Sequence, residues 1–241
     1  MEGFVTRNLH IGATVVHIIS TILIYIFANE RTWLFVNEFC TFLSHIIGII
    51  IWTQWTNDRD TERWKTAEYT RRWLEYGITA GLLEVAILGT EDISRILSIL
   101  GLNACLQFIG WVLDRNNKWK ILLLFGFLIL AIEIVLIANW SKEPLRTIVI
   151  YGVLYSLFGV IQTLQKFNVL PYDEDHAYTL LSVSTKIILT WTLIAHDNND
   201  EAMEWVIFGI FIAVFIVGAI VLYKQPDSNR RDRDFSSEFL L

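Results

Sequence analysis

Lys186 is the one charged residue in a run of otherwise uncharged residues, 177–194. If this run is a membrane-spanning helix, the rise of about 1.5 Å per residue places the lysine roughly 15 Å into a hydrocarbon core about 30 Å thick. A lone ammonium group is poorly tolerated at that depth, so the side chain requires an anionic partner or a chemical modification. A desolvated amine is also a good nucleophile toward an aldehyde, and the resulting Schiff base needs an anionic neighbour.

The composition is that of an all-α, polytopic membrane protein. Hydrophobic residues make up 54% of the 241 residues, and the mean hydropathy is +0.47. Apolar runs of about 20 residues, the length that crosses a bilayer as a helix, occur eight times. They cover approximately residues 9–28, 33–55, 68–89, 93–113, 119–140, 145–165, 177–195 and 203–223. The first run is too long for a removable signal peptide and lacks a cleavage site, so we expect it to be retained.

Several function classes are excluded at this point. The formal net charge of −6 offers no global basic patch for nucleic acid. Cys40 and Cys105 both fall in apolar runs, where free thiols act as small hydrophobic residues, so we expect neither a disulfide nor a metal site. No phosphate-binding loop, zinc-ligand spacing or nucleophile motif occurs, and we predict that the protein is not an enzyme.

The distribution of basic residues predicts the orientation of the helices. With a cytoplasmic N-terminus, fourteen of the nineteen basic residues lie on the cytoplasmic side and four on the outer side. The cytoplasmic fourteen include the cluster from Arg59 to Arg72 and the C-terminal tail. This bias follows the positive-inside rule, so we predict that both termini are cytoplasmic.

Ionisable residues inside the runs then form two layers around Lys186. The layer on its cytoplasmic side comprises Glu75, His17 and His45. The layer on its outer side comprises Glu38, Glu84 and Glu133. Ionisable groups at these depths face protein or water and commonly mark proton or ion pathways. The three outer carboxyl groups are therefore candidate proton-path residues.

These outer carboxyl groups are not equivalent. Glu38 is shallow enough to be an interfacial residue. Glu84 follows Glu75 by nine residues, or about 900° of helical rotation, so the two side chains project from opposite sides of one helix. Glu84 is instead expected to share a proton or hydrogen bond with Glu133.

Two local patterns resemble one known family. Residues 178–191 read Y-x-x-L-S-x-x-x-K-x-x-L-x-W, which resembles the retinal-attachment helix of the heliorhodopsins. Residues 72–76 read R-W-x-E-Y, which resembles the counterion helix of that family. Weaker matches extend over the first seven runs, and the family has the same cytoplasmic N-terminus that the charges predict.

The resemblance implies a cofactor and a set of roles. Lys186 would bind all-trans retinal as a protonated Schiff base, and Glu75 would be its counterion. The Schiff-base cavity would be formed by His17, His45 and Ser182. The walls of the retinal pocket would be formed by Trp73, Tyr76, Thr79, Phe158 and Trp191. Trp191 lies about 140° around a regular helix from Lys186, so a π-bulge would be needed there. A homodimer in the lipid bilayer is also implied.

The resemblance and the apolar runs together predict a division of the chain. Residues 1–197 would form a seven-helix retinal-binding core with inverted orientation. The eighth apolar run, which departs from the common family pattern, predicts an additional transmembrane helix within residues 198–224. The mixture of charges and Ser in residues 225–241 predicts a flexible cytoplasmic tail.

The chain departs from the common heliorhodopsin pattern at its outer face. The first two runs are joined by only about four residues, 29–32, where typical members carry a long extracellular hairpin. Glu38, Glu84 and Glu133 are added beneath this uncapped surface. In both respects the chain is similar to the minority of heliorhodopsins, notably viral ones, that move protons.

Three functional hypotheses follow. The leading hypothesis is a retinal-binding photoreceptor with light-driven or light-gated proton transport, as a pump or an ion channel. The alternative is a light sensor that transports nothing and signals to a partner. The third is a chromophore-free membrane transporter that uses Lys186 as a coupling charge.

Overall fold

A computed structural model describes residues 2–28, 31–57, 61–115, 119–167 and 174–197. Within these ranges the regular structure consists of seven α-helices and no strand. The helices are α1 (Glu2–Phe27), α2 (Thr32–Asn57), α3 (Thr61–Leu88), α4 (Ile93–Arg115), α5 (Trp119–Trp140), α6 (Leu145–Lys166) and α7 (Glu174–Asp197). The all-α prediction is confirmed. The predicted eighth helix and tail, residues 198–241, lie outside the described residues.

Six of these helices are long and apolar enough to cross a membrane, and α3 is the exception. Its 28 residues extend about 42 Å, so composition rather than length sets it apart. It contacts α2, α4, α5 and α7, which places it centrally in the bundle. Its charged residues Arg72, Glu75 and Glu84 are buried against these neighbours. The chain is therefore a helical membrane bundle in which these charged side chains of its most polar helix face the interior.

Consecutive helices pack against one another, and α7 also packs against α1. The connections between helices are short, so neighbouring helices are antiparallel. Two contacts lie at one end of the bundle. Arg31 lies 3.6 Å from Glu143 across two connections, and the Ser141 hydroxyl donates to the carbonyl of Ile87 in the last turn of α3 at 2.5 Å. We call this end the far face. The end at which α1, α3, α5 and α7 begin is the near face.

Lys186 lies between two groups of apolar side chains. A small aromatic cluster toward the near face consists of Trp73, Tyr76 and Tyr178. A larger apolar core fills the half toward the far face, and its fully buried members include Leu83, Ile87, Ile99, Ile137, Leu154 and Leu193. Large apolar side chains on the outer surfaces of the helices, such as Tyr25 and Phe125, remain exposed and would contact lipid.

Gly89 follows the last residue of α3 and allows the chain to turn toward α4. Its φ of +56° is in the left-handed region, where a Cβ atom is unfavourable. We expect Gly89→Ala to lower the free energy of unfolding by about 1–2 kcal/mol. Denaturation in lipid micelles, followed by circular dichroism, measures this change.

Gly101 provides the matched control, because it lies within α4 and a Cβ atom there would meet nothing within 4 Å. Gly101→Ala should raise stability by about 0.5–1 kcal/mol. Equal effects of the two substitutions would contradict the left-handed turn at Gly89.

Candidate functional site

The site is built around an ion pair between α7 and α3. Nζ of Lys186 lies 2.5 Å from Oε1 of Glu75, and each residue is 5% exposed. Nζ also lies 5.4 Å from the centre of the Tyr76 ring, within the range of a cation–π interaction. The structure thus brings together the two residues that the sequence patterns single out.

Glu75 is also held by two other side chains. Its Oε2 accepts hydrogen bonds from the Ser44 hydroxyl at 2.7 Å and from Nη1 of Arg71 at 2.6 Å. Arg71 in turn donates to both carboxyl oxygens of Glu68, at 2.9 and 2.5 Å. Lys186, Glu75, Arg71 and Glu68 therefore alternate in sign, and each charge has an opposite neighbour. This arrangement compensates the desolvation of all four groups.

Arg71 and Arg72, which the sequence analysis counts among the cytoplasmic basic residues, are not exposed charges. Their side chains are only 7% and 2% exposed, and both form ion pairs inside the bundle. The spacing of Glu68, Arg71 and Glu75, at i, i+3 and i+7, places the three side chains on one face of α3. This spacing could have indicated the ion pairs from the sequence. The hydroxyl that bonds to Glu75 is that of Ser44, whereas Ser182 lies in the lining of the cavity that also contains Lys186.

Beside the ion pair lies an apolar cavity lined by α3 to α7. Lys186, Ser182 and Thr185 line it from α7, while α3 and α6 contribute aromatic rings. Its aromatic lining residues are Trp73, Tyr76, Phe127, Tyr155 and Phe158, and its lining glycines are Gly110, Gly126 and Gly159. A Cβ atom at Gly110 would overlap the Trp73 ring, so glycine permits that ring to pack closely against α4.

A polar cluster around Asp114 supports the cavity toward the near face. The Asp114 carboxylate accepts hydrogen bonds from Arg72 at 2.8 Å, Trp73 at 2.5 Å and Gln162 at 2.9 Å. Gln162 also accepts a hydrogen bond from the Tyr178 hydroxyl. These bonds connect α3, α4, α6 and α7 and fix the orientation of the Trp73 indole.

Two predicted pocket residues do not line this cavity. The Thr79 hydroxyl donates to the Glu75 carbonyl at 2.8 Å, within α3. Nε1 of Trp191 donates to the Ser20 hydroxyl of α1 at 3.2 Å, and the ring packs against the larger apolar core. The segment around Trp191 is regular α-helix without a π-bulge. Because Trp191 follows Lys186 by five residues, its side chain points in a different direction from that of Lys186.

The two predicted histidines lie on the other side of the ion pair, between α1 and α2. Nδ1 of His45 is 2.9 Å from Nδ1 of His10, and its ring stacks on that of His17 with centroids 5.6 Å apart. Nδ1 of His17 lies 2.5 Å from Glu38, whose other oxygen accepts a hydrogen bond from Thr190 at 2.8 Å. Although Glu38 is shallow enough along α2 to be interfacial, its side chain is fully buried by its neighbours. His10 was not identified from the sequence.

Glu84 and Glu133 form a separate cluster on the opposite side of α3. Both are fully buried, and the Tyr151 hydroxyl donates to Glu84 at 3.1 Å. The two carboxyl groups are close enough to interact electrostatically. No basic side chain of the described ranges pairs with either of them. The three predicted proton-path carboxyl groups are thus divided between two clusters.

The fold and the site define a polytopic helical membrane protein in which a buried, ion-paired amine faces an aromatic cavity. The model of the heliorhodopsin family matches residues 41–197, more than half of the chain. The protein therefore belongs to the heliorhodopsin family, whose members are rhodopsin-type membrane photoreceptors. No curated protein and no solved structure matches the chain. The matched range contains Lys186, Glu75 and His45 but not α1 or Glu38.

The buried charge network predicts a large effect of removing Arg71. Arg71→Gln leaves Glu68 and Glu75 without their shared cation, and we expect unfolding free energy to fall by about 3–5 kcal/mol. Chemical denaturation in micelles gives this value.

Arg95→Gln is the matched control, because Arg95 pairs with Asp92 at 3.2 Å while both side chains are nearly half exposed. Its loss should cost at most about 1 kcal/mol. Similar losses for Arg71→Gln and Arg95→Gln would contradict the proposed importance of the buried network.

Proposed function

We propose that this protein is a light-activated photoreceptor in which Lys186 holds all-trans retinal as a protonated Schiff base, with Glu75 as the counterion. The observation that supports this proposal is the position of the Lys186 amine in the wall of an apolar, aromatic-lined cavity, 2.5 Å from a carboxylate. These residues suit the ligand, because an amine attacks an aldehyde and a polyene requires apolar walls. Retinal, when bound, supplies absorption of visible light and isomerisation.

The side chains around the amine have distinct tasks. Glu75 compensates the positive charge on the nitrogen of Lys186, and Ser44 and Arg71 hold the carboxylate in place. Tyr76 and Phe158 form part of the apolar wall, where their rings contact each other edge to face at 5.3 Å. Burial of the amine and carboxylate excludes bulk water and thereby strengthens their attraction.

Retinal attachment can be tested by absorption spectroscopy. Protein purified with all-trans retinal should show a visible band that is absent in Lys186→Ala, because that variant lacks the reactive amine. Lys166→Ala is the matched control, since Lys166 lies at the end of α6 and outside the cavity lining. A wild-type protein without a visible band would favour the chromophore-free transporter.

We further propose that light drives or gates proton movement through this bundle. Its support is the presence of buried ionisable groups on both sides of the Lys186 site, including Glu38 with the histidines and Glu84 with Glu133. Such groups are costly within a membrane and commonly serve proton transfer. The predicted cytoplasmic position of the near face and the predicted homodimer remain proposals.

Voltage-clamp recording during illumination tests proton transport. We expect a photocurrent whose size or reversal potential follows the proton gradient. If the proton passes through the Glu84–Glu133 cluster, Glu84→Gln and Glu133→Gln should lower it by about tenfold or more, because an amide cannot exchange the proton. The visible band should persist in both variants. A wild-type membrane without photocurrent, combined with a slow and long-lived photoproduct, would instead favour the non-transporting sensor.

A further inference from the structure

A row of five buried ionisable side chains lies between α1, α2 and α3, and we call it the histidine column. In spatial order it consists of Glu68, His10, His45, His17 and Glu38. Each of these residues is at most 1% exposed. The column is distinct from the cavity beside Lys186, because none of its members lines that cavity.

The members of the column are close enough for successive contacts. Nε2 of His10 lies 3.5 Å from Glu68, and Nδ1 of the same ring lies 2.9 Å from Nδ1 of His45. The His45 and His17 rings are nearly parallel, with an interplanar angle of 16° and centroids 5.6 Å apart. His17 then contacts Glu38 at 2.5 Å. The two carboxyl groups thus terminate a continuous series of three imidazoles.

The spacing of these residues in the chain explains the column. His10 and His17 are seven residues apart on α1, and Glu38 and His45 are seven residues apart on α2. Two helical turns separate the members of each pair, so each pair lies on one helix face and the two faces interleave. A Cβ atom at Gly48 would lie 2.9 to 3.0 Å from atoms of the His10 ring, so glycine gives this imidazole its place between the helices.

A purely structural role does not account for this arrangement. Nε2 of His17 and Nε2 of His45 are buried and have no hydrogen-bond partner in the described part of the chain. Burying such atoms without partners is unfavourable, and apolar side chains would pack an interface between two membrane helices without that cost. Imidazole, by contrast, can accept a proton on one nitrogen and release one from the other.

We propose that the histidine column conducts protons past the Lys186–Glu75 pair, between Glu68 toward the near face and Glu38 toward the far face. This inference rests on the proposed proton transport and assigns its route. A proton that reaches one ring nitrogen is balanced by release of the proton on the other nitrogen to the next group. Each neutral imidazole ends in the opposite tautomer and must rotate or exchange before the next transfer. The Glu68 to His10 step and the His45 to His17 step, which have no direct hydrogen bond, require such a rotation.

The column is positioned to respond to the charge at Lys186. Glu75 interacts electrostatically with His45, and Lys186 interacts with Glu38. Arg71 faces the column from α3, where it joins Glu68 to Glu75. Arg71 keeps its proton and therefore orients the carboxyl groups without relaying protons itself. A change of charge on the Lys186 nitrogen alters the field at both halves of the column.

Photocurrent measurements on retinal-loaded protein test the route. His10→Gln and Glu38→Gln should each reduce the current by about tenfold or more while the visible band is retained, because glutamine cannot relay a proton in this way. His196→Gln is the matched control, since His196 lies near the end of α7 and outside the column. Its current should equal that of the wild type.

The alternative outcomes are distinguishable. Wild-type currents in both column variants would contradict proton conduction through the column. A loss of current confined to Glu84→Gln and Glu133→Gln would place the route in their cluster instead. A wild type with a visible band but no photocurrent would overturn proton transport itself.

A measurement in the dark keeps the column testable if a variant fails to fold. In retinal-free protein labelled with ¹⁵N-histidine, nitrogen NMR should detect a coupling between two imidazole nitrogens through the His10–His45 hydrogen bond. His45→Gln should abolish this coupling, and His196→Gln should preserve it. The absence of such a coupling in the wild-type protein would contradict the proposed route through the column, whatever the photocurrent measurements show.

Discussion

The amine of Lys186 requires a compensating charge inside a membrane, and the rest of the structure follows from that requirement. Glu75 supplies the charge from α3, the one helix of the described chain whose composition is too polar to predict a membrane span. The solution is to place α3 in the centre of the bundle, where Arg71 and Glu68 extend the pair into a balanced network. Six more apolar helices surround or flank this polar element within the described chain.

Lys186 consequently lies at a boundary between two environments. On one side, α3 to α7 enclose an apolar cavity with aromatic walls. On the other side, α1 and α2 contribute the histidine column and Glu38. An amine at this boundary can hold an apolar ligand in the cavity while its charge acts on titratable groups across the ion pair. This separation of the light-absorbing and proton-carrying sides is the central feature of the proposed mechanism.

The sequence alone predicted the helices and the Lys186–Glu75 pair because both depend on local patterns. Long apolar runs predict membrane helices, and the motifs around the two residues resemble those of one family. Contacts between helices were less accessible. Glu38 was predicted to be interfacial from its depth alone, whereas its burial depends on His17 and Thr190 from two other helices. Arg71 was counted only as a cytoplasmic charge, although its partners Glu68 and Glu75 lie on the same helix; its contact with Ser44 depends on the packing of α3 against α2.

The most direct test of the account is to identify the residue that carries retinal. Borohydride reduction of the illuminated, retinal-loaded protein adds hydride to the carbon–nitrogen double bond and converts it to a stable amine, which peptide mass spectrometry can locate. The account predicts a retinyl group on the peptide that contains Lys186 and on no other lysine. A retinyl group on a different lysine, or none in a protein that has a visible band, would contradict it.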